Sequence, residues 1–512
     1  MSKSKFTNCT SEHTNEINKA SLERLVFIVI LILVFLMAAR TPLDTDMWWH
    51  MRAGETTVEM GSPLLVDTTS FTKFGEIWVN HSWLAGVLLY GVFSIGGFFG
   101  LGLLVTGVVT LTIGIVYFQS VGPGLLRGPI LILGAVVSSW VWSPRPQIFT
   151  LLLFAWVGYL LYLYKWRAVN RLWLLIPTFI LWSNLHAGYT LGLILILFFL
   201  AGEILNTILG YKGEEILDWK KARTLIVWTI ASGWVVLINP NGIRTWLISF
   251  ETIRIEVLQQ LIDEWSSPNF HELELHPFLW LFFITLTAMV IAKRRVDGVD
   301  LVGLLGFAYM ALIAKRNFAP FALFAMPVLD RYMGPLLVDL GLRIQSWIGI
   351  SSLGKLIASK PKLNIDPGIR KVINLILVSI LWISALGKLY VVTHPMLVEV
   401  YESRYYPTGA VQFLQENPQQ GNLFNSYGWG GYLQWHLREY PVFVDGRTDL
   451  FGDEIIRMWQ DVIEVNENWA HILDSWNIRI MVVEPDRPIV KVLRAEGWQV
   501  LYQDEVSIVI VR

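Results

Sequence analysis

Runs of about twenty mostly apolar residues recur through the first three quarters of the 512-residue chain, and they constrain its fold more than any other feature. A bilayer core of about 30 Å takes about 20 apolar residues per crossing helix, because backbone N–H and C=O groups in hydrocarbon must bond to each other. Eleven runs meet that description, near 22–40, 98–118, 128–143, 147–164, 171–185, 187–209, 224–238, 277–292, 299–314, 318–334 and 371–393. Composition agrees: 54% of residues are hydrophobic and 16% charged, where a soluble chain carries about 25% charged residues. Disordered and collagen-like classes are excluded, and the single cysteine, Cys9, leaves no disulfide within the chain. A net charge of −1 gives no bias toward nucleic acid, so an anionic ligand must be held by local clusters of Lys and Arg.

From about 394 the pattern changes. Short β-rich runs (Val442 to Asp445, Ile478 to Glu484, Val506 to Arg512) alternate with helical patterns at Thr408 to Glu416 and Pro488 to Glu496. The expected fold is a mostly α polytopic membrane protein of about 11 transmembrane helices, with a C-terminal α/β domain. The expected divisions are a cytoplasmic tail 1–21, a transmembrane domain 22–393 carrying an outer loop 41–97, and an extracytoplasmic domain 394–512.

Orientation follows from the excess of Lys and Arg in cytoplasmic loops. Lys3, Lys5, Lys19 and Arg24, the loops Lys165–Arg171 and Lys212–Arg223, Lys293 to Arg295 and the basic connector 331–371 all read as cytoplasmic. Parity then requires one apolar run between 41–81 and 165–171 not to cross. The run 83–96 is about 14 residues long and closes on Gly96-Gly97, so it is expected to lie along the outer side. Met37-Ala38-Ala39-Arg40 is a poor cleavage site, which favours an uncleaved anchor at 22–40 over a signal peptide.

The residues able to carry chemistry cluster at outer helix ends. Asp44-Thr-Asp46-Met-Trp48-Trp49-His50 places two acids beside indoles that favour the headgroup level, although it also reads as a hydrated anchoring loop. Carboxylates there can take a proton or hold a divalent cation; beyond that cation no cofactor follows from the sequence, and no metal ligand set is assigned. Arg145, in Ser143-Pro-Arg-Pro-Gln147, and Lys315-Arg316 are basic on the side that the charge bias disfavours. An anionic partner such as a lipid phosphate gives a local reason, with snorkelling to headgroups as the plain alternative. Asn184 and His186 sit in a tight turn between spans, suited equally to interhelical hydrogen bonds or to a substrate. The loop 239–276 adds Asp263, Glu264, His271 and His276, without a ligand spacing for metal. In the C-terminal stretch, Tyr427-Gly-Trp429-Gly-Gly431 and Asp445-Gly-Arg447 read either as a ligand loop or as a salt-bridged turn. Nucleotide, HExxH and nucleophile-elbow motifs are absent from the sequence.

Asp44-x-Asp46-x-Trp-Trp-His50, Gly61-x-Pro63-x-x-x-Asp67-x-x-Ser70-Phe-Thr and Trp78-x-x-His81-x-Trp83-Leu resemble bacterial membrane proteins of the GT-C glycosyltransferase class. More distantly they resemble protein mannosyltransferases and lipid A aminoarabinose transferases. The likeness continues through Arg145-Pro-Gln147, Asn184-Leu-His186 and the two C-terminal motifs. It implies a hexosyl or pentosyl transferase that takes a polyprenyl-phosphate-linked sugar to a glycan, lipid or protein acceptor in the cell envelope. Asp44 or Asp46 would be the general base, and Arg145 would approach the lipid phosphate with Lys315 and Arg316. Trp48, Trp49, His50, His81, Gln147, Asn184 and His186 would line the substrate, and Tyr427, Trp429, Asp445 and Arg447 are ligand candidates. Gln147 stands where many relatives place an acid, and His186 where some place a lysine. A non-catalytic envelope protein binding glycan or lipid is the alternative. A flippase or transporter fits less well, because the spans are polar mainly at their outer ends.

Overall fold

The computed structural model describes residues 22–120, 122, 124–213, 216–257, 262–350 and 366–512. The expected cytoplasmic tail, with Cys9, and part of the basic connector lie outside these residues. Each of the eleven apolar runs falls on a helix: 22–38, the second limb of Trp83–Gln119, Gly124–Ser138, Gln147–Trp166, Leu175–Leu185, Tyr189–Ile208, Trp219–Val235, His276–Ile291, Gly298–Ile313, Phe318–Ile350 and Pro367–Val392. Among the described residues, five helices are long and apolar enough to cross a membrane: Trp83–Gln119, Gln147–Trp166, Tyr189–Ile208, Leu273–Ile291 and Pro367–Val392. The chain is a membrane protein.

Residues 83–96 are helical and separate from the run after them. At Gly97 the backbone turns to φ 52° and ψ −144°, a conformation open to glycine, and the chain restarts as a helix in a new direction. The helix Phe318–Ile350 continues well into what reads as a connector, aided by the Arg343–Asp339 pair one turn apart at 3.1 Å.

One contiguous apolar core joins these helices, with Phe179, Trp182, Phe278, Phe307 and Phe321 fully enclosed. At the end of the bundle opposite Arg145, buried charges are paired rather than isolated. Lys165 binds Glu203 and reaches Asp297 at 3.0 Å, while Arg331 binds Asp300 at 2.5 Å and Tyr332 donates to the other Asp300 oxygen at 2.9 Å.

The C-terminal region is built on a four-stranded mixed sheet, β1 (Asn422–Asn425), β2 (Ile478–Val483), β3 (Gln499–Gln503) and β4 (Ile508–Val511), in the order β1-β2-β4-β3. β1 and β2 run parallel, and the other pairs are antiparallel. Successive strand residues point to opposite faces, so β2 divides its side chains between two cores. Met481 and Val483 pack with the helices Thr448–Glu464, Trp469–Ser475 and Pro488–Ala495. Ile480 and Val482 pack with the helices Thr408–Glu416 and Gly430–His436, and with Met47, Trp48 and Met51 from the first outer segment. The C-terminal region and that outer segment therefore share a core.

Val442 to Asp445, expected as a strand, joins no strand of this sheet. Val442 instead exchanges backbone hydrogen bonds with the outer segment: its N–H donates to Thr69 O (3.1 Å), and Phe71 N–H donates to its carbonyl (3.2 Å). Asn425 supplies what a neighbouring strand would have given, accepting from Phe443 N–H at 2.9 Å and donating to Val444 O at 2.8 Å.

Candidate functional site

Residues 41–46 form a short non-helical link between the helix 22–38 and the helix Met47–Met60, and this link carries the acid pair. Asp44 accepts from the Asp46 N–H at 2.9 Å, and the Trp49 indole N–H donates to Asp46 at 3.2 Å. The sequence spacing thus fixes both carboxylates against one helix start. On their far side Arg145 precedes the helix Gln147–Trp166, held there by the two prolines around it.

Arg145 is the centre of the cluster. Its guanidinium contacts Asp44 Oδ2 at 3.1 Å through Nε, Asp46 Oδ2 at 2.9 Å through Nη1 and Glu264 Oε2 at 2.9 Å through Nη2. With its amide oxygen turned to Arg145, Gln147 accepts from Nε at 2.9 Å and from Nη2. The second oxygen of Glu264 lies 3.7 Å from Arg316, whose guanidinium stacks 4.1 Å over Trp265. Lys315 binds Asp263 at 2.5 Å. The early acids, the two arginines and the lysine meet in one place.

Burial pushes Asp46 up to about 6; Arg145 opposes that rise, and the neighbouring carboxylates of Asp44 and Glu264 reinforce it. Glu264 is held below its ordinary value in spite of burial, because Arg145 and Arg316 flank it. Arg145, against the effect of burial, is held above its ordinary value by its three carboxylates. Three histidines complete the wall. Burial holds His50 and His186 well below the ordinary histidine range, with Arg145 adding to it, and burial lowers His81 too, against the opposing charge of Asp449. His81 and His186 rings are 6.1 Å apart, and His50 stacks on Trp49 at 3.5 Å.

The His186 tautomer follows from its partners. Gly188 N–H donates to Nδ1 at 3.1 Å, so Nδ1 is the acceptor and the proton sits on Nε2. Thr150, which accepts from the Trp182 indole at 2.9 Å, then donates its hydroxyl to the same Nδ1 at 2.9 Å.

Other expected site residues are placed differently. Trp48 is 1% exposed and packed edge-on against Tyr432 and Tyr406, an anchor between the outer segment and the C-terminal region. Asn184 is consumed by structure: its amide donates to Ile180 O and Ile238 O, and accepts from the Trp83 indole at 2.8 Å. Asp445 and Arg447 form a closed buried pair at 2.6 Å, and Arg447 also reaches Asp67 at 2.6 Å and Thr69 at 2.9 Å. Trp429 donates to Tyr405 O at 3.0 Å and Tyr427 shares a hydrogen bond with Thr448 at 2.8 Å. These C-terminal residues clamp the first outer segment from behind. Gly446, inside the clamp, lies where an added Cβ would fall 2.1 Å from Asp46 Oδ1.

The sequence brings Glu264 and Asp67 into view without giving either a role at the site, and it gives no sign of Thr150. Glu264 leaves one signal, a charge balance: the outer cations need nearby acids, and Asp263-Glu264 stands in the same outer loop system. Asp44, Asp46 and Glu264 are all turned onto Arg145, and no group of three or more His, Cys, Asp or Glu suited to a metal occurs among the described residues.

No family model and no curated protein sequence matches the chain. Solved structures do. The archaeal oligosaccharyltransferase AglB from Archaeoglobus fulgidus, in complex with an inhibitory peptide and a dolichol-phosphate, matches with a TM-score of 0.58 at 11% identity, over 90% of this chain and 69% of that one. The apo oligosaccharyltransferase of the same organism gives a TM-score of 0.53 at 12% identity, over 89% and 69%. ArnT from Cupriavidus metallidurans in the apo state gives 0.50 at 13% identity, over 96% and 98%. At such identities the likeness is one of fold.

Proposed function

We propose that the chain is a membrane glycosyltransferase that moves a sugar from a polyprenyl-phosphate-linked donor to an extracytoplasmic acceptor. The observation that carries the reading is the direct contact of Asp44, Asp46 and Glu264 with Arg145, and the reach of Glu264 to Arg316. A base and a phosphate-binding pair of arginines then lie within one side chain of each other.

Glu264, with one oxygen toward each arginine, occupies the place a bidentate phosphate would take. On donor binding the phosphate replaces it there, and Asp46 is released from Arg145. The acceptor oxygen then attacks the sugar C1 as its proton passes to Asp46. The bond from C1 to the phosphate oxygen breaks, and the negative charge that develops on the phosphate is met by Arg145 and Arg316. Inversion at C1 follows from the single displacement. Asp46, raised to about 6, is ionised at neutral pH yet basic enough to take the proton. His186 presents its Nε2–H as a neutral donor, and Asp44 orients the Asp46 backbone. The reading in which the protein only binds glycan through its C-terminal region is weakened by the burial of Trp429, Asp445 and Arg447.

The test is turnover of a polyprenyl-phosphate sugar by the purified full chain. Asp46→Asn should lower kcat about 10²- to 10⁴-fold, the range for loss of a positioned base. Wild-type turnover in Asp46→Asn would overturn the mechanism, and absence of turnover with retained donor binding in the wild type would favour a binding protein.

A further inference from the structure

The helix Gln147–Trp166 spans about 30 Å at 1.5 Å per residue, so its far end lies a membrane thickness from Arg145. At that far end is a cavity of about 890 Å³, lined by Ser120, Arg127, Tyr159, Tyr162, Trp166 and Arg167 among others. Arg127 and Arg167 are its charged lining residues, and no acid lines it among the described residues.

Two buried donors there have no acceptor. Arg127 Nε and the Trp166 indole N–H are both enclosed without a hydrogen-bond partner. Leaving such groups unpaired is costly, and a small shift of the cavity wall toward an acceptor inside it would relieve both. Neither donor is free to turn elsewhere: the Arg127 guanidinium stacks 4.8 Å from Tyr117, and Arg331 covers the Trp166 ring at 3.8 Å. Tyr159, Tyr162 and Trp166, three and four residues apart, form a stacked row along one helix face at 6.3 and 6.0 Å. Aromatic rows of this kind favour the level of lipid headgroups, and basic pockets between helices on the inner side suit anionic headgroups. Phe118, 56% exposed, continues the lining as apolar surface.

We infer that this cavity is a second anion site that takes the phosphate headgroup of an anionic membrane lipid, separate from the cluster around Arg145. Arg127 and Arg167 hold the phosphate charge, the Trp166 indole N–H donates to a phosphate oxygen, and Phe118 and Leu163 receive the upper acyl chain. The site does not depend on the transferase reading.

The test is native mass spectrometry of the full chain in detergent, titrated with dioleoylphosphatidylglycerol, dioleoylphosphatidylcholine or inorganic phosphate. The wild type should retain phosphatidylglycerol at least tenfold more strongly than phosphatidylcholine. Arg127→Ala/Arg167→Ala should lose that preference, and Trp166→Phe, which keeps the ring, should weaken it severalfold. Arg145→Ala should leave it intact, which separates this site from the outer one. Unchanged lipid preference in both the double variant and Trp166→Phe would overturn the inference. So would displacement of phosphatidylglycerol by equimolar inorganic phosphate, which would assign the cavity to a soluble anion.

Discussion

At the scale of single residues, the central fact is that one guanidinium holds three carboxylates. Such a cluster stays poised because exchanging one anion for another at Arg145 costs less than baring it. The environment gives Asp46 a base strength that Glu264 lacks, since Glu264 is drawn down by two arginines while Asp46 is raised by burial. The sign of the pH dependence follows. Asp46 works ionised, so kcat/KM of the free enzyme should climb as pH rises through about 6 and level off above it. Burial holds His50 and His186 well below the ordinary histidine range, which favours their neutral forms. A pH–rate profile flat between 5 and 7, or one whose limb survives in Asp46→Glu without moving, would remove Asp46 from the role. The acid pair and Arg145 were legible in the sequence because an Arg at an outer helix end resists the usual charge bias. Glu264 was not, because one acid among several in a long loop carries no periodicity or motif, and its meaning lies in a partner 119 residues away.

Among the elements, the apolar runs announced their helices, since a run of about twenty apolar residues has few alternatives. The helix Met47–Met60 gave no such sign. It mixes Met, Trp and Ala with His, Arg, Glu and Thr, yet nine of its residues are buried, because it is enclosed between the C-terminal region and the helix starting at Trp83. A helix buried on several sides shows no single apolar stripe. Strands were legible where both faces are apolar, as in Ile478–Val483, but β1 is short and β3 is half-exposed and polar at both ends. The glycines of the C-terminal motifs now have a mechanical meaning. Gly446 lets the backbone touch Asp46, whereas Gly428 has only Thr45 Cγ2 near its missing Cβ, at 3.9 Å. Gly446→Ala should therefore displace Asp46 and lower kcat at least tenfold with the chain still folded. Gly428→Ala should stay within twofold of wild type. Equal activity of the two variants, measured by the same turnover assay, would separate the C-terminal motif from the site.

For the whole molecule, the fold links two remote parts of the sequence into one body. The outer segment adds its backbone at Thr69 to Phe71 to the C-terminal region, and the buried Arg447 ties Asp67 to Asp445. Whatever side of the membrane holds Asp44 and Asp46 must then hold the C-terminal region as well. The charge pattern of the loops predicts that this side is extracytoplasmic, with Arg171 on the other. In a Cys9→Ser background, an impermeant maleimide applied to intact cells should label Glu416→Cys, at an exposed helix end, and leave Arg171→Cys unlabelled until the membrane is opened. The reverse pattern would place the reaction on the cytoplasmic face and exclude an extracytoplasmic acceptor.

The contact between the acid pair and the arginines is most directly tested by the lipid the site keeps. Purified wild-type protein should retain a polyprenyl phosphate, detected by mass spectrometry of extracted lipid, and Arg145→Ala/Arg316→Ala should lose it at least tenfold while phosphatidylglycerol at the opposite end stays. Equal polyprenyl phosphate in the wild type and the double variant would contradict the account, since the arginines would then not be what holds the donor.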